Sequence, residues 1–394
     1  MQGSTPLPQV NALPMTLGEA TASQNAWIEV DVGAIEANVA ALRAVIGGGV
    51  ELIAVVKANA YGAGVEAFAP ALEGAGADRF AVVWPAEALA LRRFGITKPI
   101  LVLGHAFPAD AESAVAADVT LICHSLELGE ALSGAAVSQG RTANVHVKVD
   151  SGLHRFGLEL DNAVELAEAL RELPGLRVEG LTTHMANADE QDDSFADHQH
   201  AVFAEAARRL PWIPYRHTAN SATALRRKEL RYDGVRIGLA LHGVLPDNTP
   251  GPALTPVLSL KARLARVTPV HPGEGVSYGL TWRAERESRV GLVPVGYADG
   301  WRRGLGNTGR VLVRGQSCAM AGRVCMDQFL ADVTEVAGAA EGDEVVLLGQ
   351  QGAGRITAEE VASLTDTIPW DVFASLQTRL PRFYHRGGVV ERVV

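Results

Sequence analysis

Cysteine is scarce in this chain. Three residues in 394, Cys123, Cys318 and Cys325, are too few and too irregularly spaced for a disulfide framework or a structural zinc site. They predict reduced thiols in a cytoplasmic protein. Long apolar runs are also missing, so no stretch reaches the roughly 18 residues that a membrane-spanning helix needs. Basic residues are in deficit, 35 Lys and Arg against 45 Asp and Glu, for a net charge of −10. A general nucleic-acid binder needs a basic stripe to displace phosphate counterions, so that class is disfavoured. Any anionic ligand must then be held by a few local donors. Met1 to Gln24 contains no Lys or Arg and no sustained apolar stretch. That predicts no signal peptide, and its Pro, Ser, Thr, Gly and Ala content predicts a disordered tail over 1–25. Solenoid repeats are absent, and so is low complexity beyond that tail.

What is present is ordinary globular composition, 47% hydrophobic and 20% charged, in a chain long enough for a barrel-sized domain plus a second one. A short strand at Trp27–Asp31 leads into a helix over Ala34–Ile46, with Ile35, Val39, Leu42 and Ile46 on one face and Asp31 placed to cap it. Eight short apolar, β-branched runs follow, each leading into an Ala/Leu/Glu-rich helical pattern. They are Leu52–Lys57, Arg79–Trp84, Pro99–Gly104, Val119–His124, Asn144–Asp150, Val178–His184, Tyr215–Asn220 and Tyr232–Gly238. Near-continuous apolar runs alternating with helices indicate parallel strands buried on both faces. The fold class is α/β, a (β/α)8 barrel of the TIM type over 26–255, with an open doubly wound sheet as the alternative. After Pro256 the rhythm changes. Leu258–Val270, Arg289–Val295, Arg310–Gly315, Met320–Val333 and Glu344–Gly349 read as strands, with one helix at Thr357–Leu364. A smaller, mostly β domain is expected over 256–394.

In a parallel barrel the chemistry gathers at the C-terminal ends of the strands. Here those ends carry Lys57, Lys148 with Asp150, His184, Asn220 with Ser221, and Arg236 with Gly238. A strand as apolar as Leu52–Val56 ending in a lysine has two explanations. The side chain snorkels to solvent, or desolvation makes it nucleophilic, as in Schiff-base lysines. The small residues and glycines around Tyr61, in Lys57-Ala-Asn-Ala-Tyr-Gly-Ala-Gly64, suit close approach of the main chain to a ligand.

The stretch AVVKANAYGAG resembles the pyridoxal-phosphate lysine motif of the alanine racemases, a barrel-fold family. The similarity continues in order through the chain. It runs through VHVKVDSGLHRFG with Arg155, THMANAD at His184, the pair Asn220-Ser221 and GVRIGLALHG with Arg236. It then takes in VSYGLTW with Tyr278, GYADGWRR with Tyr297 and Arg303, and VCMDQF with Met326 and Asp327. The resemblance spans 27 to about 385.

It implies pyridoxal 5'-phosphate as cofactor, bound as an aldimine to Lys57, and racemisation of alanine by two bases, Lys57 and Tyr278. The D-alanine would supply bacterial peptidoglycan. It also implies cofactor contacts from Tyr61, His184, Asn220, Ser221, Arg236, Gly238 and Leu239, and substrate contacts from Arg155 and the main chain at Met326. Lys148, often carbamylated in the family, and Asp327, Tyr297 and Arg303 would support the site. A homodimer with sites shared between subunits is implied as well. Arginine only donates at physiological pH, so Arg236 would leave the pyridine nitrogen unprotonated and limit transamination; a surface pair with Asp233 is the alternative. Ser221 could instead cap a helix. The chain departs from the family pattern at Ala63 (often histidine), His242 (often tyrosine) and Thr378 (a phosphate-contacting tyrosine in some members), and Tyr384 nearby is no assured substitute. His184, Asp189, Asp192, Asp193, His198 and His200 admit a metal site or, equally, a dipole-stabilised helix N-terminus; no metal is expected. The rival functions are a broader amino-acid (serine) racemase, a barrel-fold decarboxylase and a non-catalytic pyridoxal-phosphate carrier. The decarboxylase's glycine-rich loop and acidic partner for the ring nitrogen are not found, and the carrier resembles the barrel alone.

Overall fold

The computed structural model describes residues 15–394. The tail expected over 1–25 lies outside the described residues as far as position 14. Beyond that the chain has regular structure where disorder was expected. Leu17–Ala20 is a helical turn whose cap, Thr16, exchanges hydrogen bonds with Glu19. The Leu17 N–H donates to the Gly388 carbonyl at 2.7 Å, anchoring the turn to the far end of the chain.

Eight parallel strands form the first sheet: Glu51–Val55, Arg79–Val82, Ile100–Val102, Val119–Cys123, Ala143–Lys148, Leu176–Thr182, Tyr215–His217 and Gly234–Ile237. Neighbours in sequence are neighbours in space, and the last strand pairs in parallel with the first, Glu51 opposite Gly234. The remaining seam is closed by two main-chain bonds, Asp233 N–H to Arg216 O at 3.0 Å and Arg236 N–H to Ala219 O at 2.9 Å. The sheet is therefore a closed ring, and the open doubly wound alternative is excluded. Every residue of Val119–Cys123 and Gly234–Ile237 is buried, as strands covered on both faces require.

Helices follow each strand except the last, which is succeeded only by the turn Leu239–His242. The vacant place is filled by Val32–Ile46, which precedes the first strand and packs against Val65–Gly74 and Ser221–Arg226. Asp31 caps it, accepting from Ala34 N–H at 3.2 Å, and Ile35, Val39, Leu42 and Ile46 are buried as the periodicity predicts.

The second sheet is antiparallel for the most part and has eleven strands. Ala26–Asp31, grouped by sequence with the barrel, belongs to it instead. This strand runs antiparallel to Leu258–Arg263 and parallel to Arg382–Arg386. Its Trp27, Ile28 and Val30 are fully buried, so in sequence it looks like a barrel strand; only its partners differ. The expected strand Leu258–Val270 breaks at Leu264 into Leu258–Arg263 and Arg266–Val270. Met320–Val333 likewise splits into Gln316–Ala321 and Phe329–Asp332 around a loop that holds Cys325, Met326 and Asp327. The helix near 357–364 is Ala358–Leu364, capped by Thr357. Helix Pro369–Ala374 and the final hairpin Arg382–Arg386 and Val389–Val393 were not anticipated. That helix packs on the segment Lys57–Tyr61 at the barrel mouth.

Candidate active site

Lys57 opens a turn of unusual hand. Ala58, Asn59, Ala60 and Tyr61 all have positive φ, between 48° and 55°, followed by Gly62 at 78°. Each L-residue in the left-handed region costs roughly 1–2 kcal/mol, so the surroundings must over-determine the turn. They do. The Ala58 N–H donates to Glu87 at 2.7 Å, and the Asn59 side chain accepts from Val65 N–H at 2.8 Å. A Cβ on Gly62 would meet the Phe373 carbonyl at 2.2 Å, so only glycine fits. Burial and the charge of Arg155 hold the Lys57 amine below its ordinary pKa, partly offset by Glu87. More of it is neutral, and nucleophilic, than in a free lysine.

Arg236 is 4% exposed and is not the surface residue paired with Asp233 that the alternative described; Asp233 accepts from the main chain of Arg216 instead. Its six hydrogen bonds all leave from the two terminal nitrogens. They reach Thr182 Oγ1, His217 Nδ1, the carbonyls of Thr183, His217 and Thr218, and His184 Nδ1, at 2.8 to 3.2 Å. Nε makes none of these bonds and remains a donor available to a ligand. Burial lowers the guanidinium pKa to about 10, leaving it a cation at neutral pH.

Because arginine can only donate, it fixes the tautomers of a chain of buried groups that sequence gave no reason to single out. His217 Nδ1 accepts from Arg236, so its Nε2 carries the proton and donates to His146 Nδ1 at 2.9 Å. His146 Nε2–H then donates to Glu179 at 3.3 Å, and Glu179 pairs with Arg79 at 3.1 Å, itself paired with Glu51 at 2.6 Å. Hydrogen bonding from His146 and the charge of Arg79 overcome burial and bring the Glu179 carboxyl down to about 2. Both imidazoles are pushed below their usual range, chiefly by desolvation, and stay neutral. A polar line thus runs from the strand starts at Glu51 and Arg79 to the strand ends. Histidines in the pattern VHV and YRH look like strand filler, which is why they were missed.

Beside Arg236 lies a set of donors suited to an anion. Tyr61 is buried, which drives its phenol pKa up and keeps the hydroxyl protonated. A Cβ on Gly238 would come within 2.5 Å of Tyr61 Oη, so glycine lets the phenol lie over the main chain. The Gly238 N–H points at Ser221 Oγ, 3.2 Å away, and Leu239 opens the next turn. The helix Ser221–Arg226 is capped by Asn220, whose side chain accepts from Thr223 N–H at 3.0 Å; Ser221 is its first residue and not the cap. Behind Tyr61, His242 is buried without a hydrogen-bond partner, stacked on Phe68, and lowered by burial to about 3. Ala63 is buried, its N–H donating to Ala60 O and its carbonyl accepting from Tyr384. Thr378 is exposed, and the helix Pro369–Ala374 before it packs against the lysine turn.

Lys148 ends its strand half-buried, 5.3 Å from the Phe156 ring, and burial with the charges of Arg236 and Arg155 brings its amine to about 8. Arg155 is exposed in the following loop, which Asp150 organises by accepting from Gly152 and His154 N–H groups. His184 is held neutral by burial and by Arg236. The acidic and histidine residues near it do not assemble as ligands. Asp193 and Asp197 pair with Arg227, and His200 bonds Tyr232 at 2.9 Å. Among the described residues no group of three or more His, Cys, Asp or Glu is arranged to hold a metal.

The other predicted residues form a second cluster, on the β-rich sheet. Tyr278 is 71% exposed in a tight turn flanked by Ser277 and Leu280 at positive φ. Met326 is 54% exposed, and its carbonyl accepts from Ala298 N–H at 2.9 Å. Tyr297 N–H bonds Cys325 O, and Ser277 Oγ bonds Arg323 O, so the turns of Tyr278, Tyr297 and Met326 are tied together. Asp327 pairs with Arg379 at 2.9 Å, which also holds Asp299. Arg303 is exposed beside Tyr297 and lines a groove of about 400 Å³ with it. Among the described residues no hydrogen bond joins this cluster to the barrel-mouth residues.

Comparison with known proteins gives concordant matches. Residues 30–246 match the family model for the alanine racemase N-terminal domain, and 257–384 that for the C-terminal domain. The chain is 41% identical over 370 residues to the alanine racemase of Symbiobacterium thermophilum, covering 92% of this chain and 97% of that one. It is 38% identical over 364 residues to that of Halothermothrix orenii, covering 91% and 96%. Among solved structures it resembles alanine racemase from Bacillus anthracis with bound L-Ala-P, at 37% identity and TM-score 0.87 over 94% of this chain and 97% of that one.

Proposed function

We infer that this chain, which belongs to the alanine racemase family, interconverts L-alanine and D-alanine with pyridoxal 5'-phosphate as its cofactor. The observation that carries the reading is the convergence of Lys57, Tyr61, Ser221, Arg236 and Gly238 at one end of the barrel, around a buried cation that can only donate. These residues fit the cofactor. Tyr61, Ser221 and the amides of Gly238 and Leu239 suit a phosphate dianion, and only glycine at 238 lets the Tyr61 hydroxyl come up beside them. Nε of Arg236, without a protein acceptor, would donate to the ring nitrogen, and Lys57 supplies the amine. Asn220 acts through the helix it caps. When bound, pyridoxal phosphate supplies the electron sink that makes the substrate α-hydrogen removable.

The chain's own residues then divide the work. Lys57 takes or returns the proton on one face of the substrate, and Tyr278 does so on the other. A phenol serves as base only beside positive charge or donors, which the His184 and Arg236 neighbourhood of a second chain's barrel would supply. The Arg155 fork receives the substrate carboxylate, with the main chain at Met326. The Lys148 amine, near neutrality at about 8, is open to carbamylation, which would orient Arg155. Asp327 and Tyr297 fix the Met326 loop, and Arg303 borders the groove beside Tyr297. Because Tyr278 and Met326 are exposed on the other unit, the complete site is proposed to join the barrel unit of one chain with the unit 256–394 of a second copy. The homodimer would act in the cytoplasm, where its three free cysteines stay reduced, and supply D-alanine for peptidoglycan. No helix among the described residues is long and apolar enough to cross a membrane.

The test is loss of optical rotation with purified protein across L-alanine, L-serine and L-lysine, together with carbon dioxide release and the visible absorbance of bound cofactor. Racemisation strongest with alanine is expected. Carbon dioxide release, or a colourless inert protein, would overturn the reading; a basic amino-acid decarboxylase is already disfavoured by arginine where an acid should stand.

A further inference from the structure

We propose that Arg382, with Tyr384, is a positioning residue for the left-handed turn that carries Lys57 and Tyr61. Arg382 is 2% exposed, yet no carboxylate pairs with it. Its Nε and Nη2 both donate to the Gly62 carbonyl, at 3.0 and 2.9 Å. The remaining donors go to the carbonyls of Leu376, Gln377 and Leu380, at 2.6 to 3.2 Å. A guanidinium buried solely among main-chain oxygens is costly unless those oxygens need it. They do, because the end of any helical turn leaves carbonyls without partners, and a cation there satisfies them.

Two residues along the same strand, and so on the same face of it, the Tyr384 hydroxyl lies 2.9 Å from Ala63 O and 2.8 Å from Gly64 O. From the second sheet of the same chain, Arg382 therefore caps the Gly62 carbonyl, and the Tyr384 hydroxyl shares its proton between the next two, Ala63 O and Gly64 O, the latter also accepting from Phe68 N–H. Helix Pro369–Ala374 closes the other side, with Phe373 O against Gly62. Lys57 and Tyr61 stand at the two ends of the turn thus held, so the cap fixes the amine relative to Arg236 and the phenol relative to Gly238. The β-rich unit has a role toward its own barrel separate from the one proposed across the dimer.

The inference rests on Lys57 being the cofactor lysine, and its test separates the two. Amide hydrogen exchange is measured over 57–64 in the full-length chain, with and without pyridoxal phosphate, for wild type, Arg382→Met, Arg382→Lys and Tyr384→Phe. Arg263→Met serves as control, since Arg263 binds main-chain carbonyls at Thr21 and Gly342, elsewhere in the second sheet. Arg382→Met is expected to speed exchange across 57–64 by about tenfold or more. It should also shift the pH titration of the visible absorbance and lower kcat more than it raises KM. Arg382→Lys should restore part of each, and Tyr384→Phe should give a smaller acceleration confined to the end of the turn. The control should lower Tm alone. If Arg382→Met does not fold, the Tyr384→Phe and Arg382→Lys results decide. Unchanged exchange over 57–64 in folded variants, or changes equal to the control's, would overturn the proposal. Accelerated exchange in a wild-type background that binds no cofactor would uphold the cap and discard Lys57 as the cofactor lysine.

Discussion

Arg236 holds its neighbours in one protonation pattern because a guanidinium never accepts. Burial keeps His184, His217 and His146 neutral, Arg236 fixes which of their nitrogens accept, and Glu179 closes the line as an anion. Replacing Arg236 by glutamate would put an acceptor, protonated or shared, where a fixed donor stood, and favour a protonated ring nitrogen. Charge-assisted hydrogen bonds contribute roughly 1.5–3 kcal/mol each, so racemisation should fall by about tenfold to a hundredfold while transamination to pyruvate rises. Arg236→Glu with no such rise would show that the arginine does not govern the partition. The buried imidazoles also set an acid limit. His146, His184, His217 and His242 have folded pKa values below the ordinary 6.5. The unfolded chain therefore binds protons that the fold refuses once pH drops below about 6.5, and stability falls by up to about 1.4 kcal/mol per pH unit for each. Urea midpoints should decline between pH 6.5 and 5, and His242→Phe should reduce that slope by one proton's worth.

Among the elements, the turn at 58–61 departs furthest from ordinary geometry. In a right-handed helix an exposed Ala→Gly change costs about 1 kcal/mol, but at Ala58, exposed and left-handed, it should stabilise by about that amount. Urea unfolding of Ala58→Gly checks the hand directly, and destabilisation would contradict it. Such a turn has little trace in sequence, since only Asn59 favours positive φ. The eight barrel strands were legible because burial on both faces leaves unbroken runs such as Leu52–Val56 and Val119–Cys123. The same logic misplaced Ala26–Asp31, buried just as fully but in the other sheet. Met320–Val333 read as continuous because Val324, Cys325 and Met326 carry the apolar pattern across the loop at 322–328, although Gly322, Arg323, Asp327 and Gln328 bracket it. Strand-end polar residues such as Lys57, Lys148, His184 and Arg236 stood out, whereas His146 and His217 did not, since each finds its partners on other strands, His146 with Glu179 and His217, and His217 with Arg236. Arg382, more than 300 residues from Gly62 along the chain, could be found only from the fold.

At the scale of the molecule, the two candidate bases sit on different units, Lys57 in the barrel mouth and Tyr278 exposed on the β-rich sheet. A closed two-fold dimer would bring each barrel mouth against the other chain's Tyr278 and Met326. The exposed Trp84 and Phe107, beyond the ends of barrel strands, are then the kind of apolar surface such a contact covers. The decisive measurement mixes two inactive chains, Lys57→Ala and Tyr278→Phe, co-refolded in equal amounts with pyridoxal phosphate and assayed for alanine racemisation. Random pairing makes half the dimers mixed, and each mixed dimer contains one intact site of two, so about a quarter of wild-type activity should return. Activity of Tyr278→Phe alone equal to wild type, or no recovery in mixtures shown to contain mixed dimers, would contradict the two-base site shared between chains.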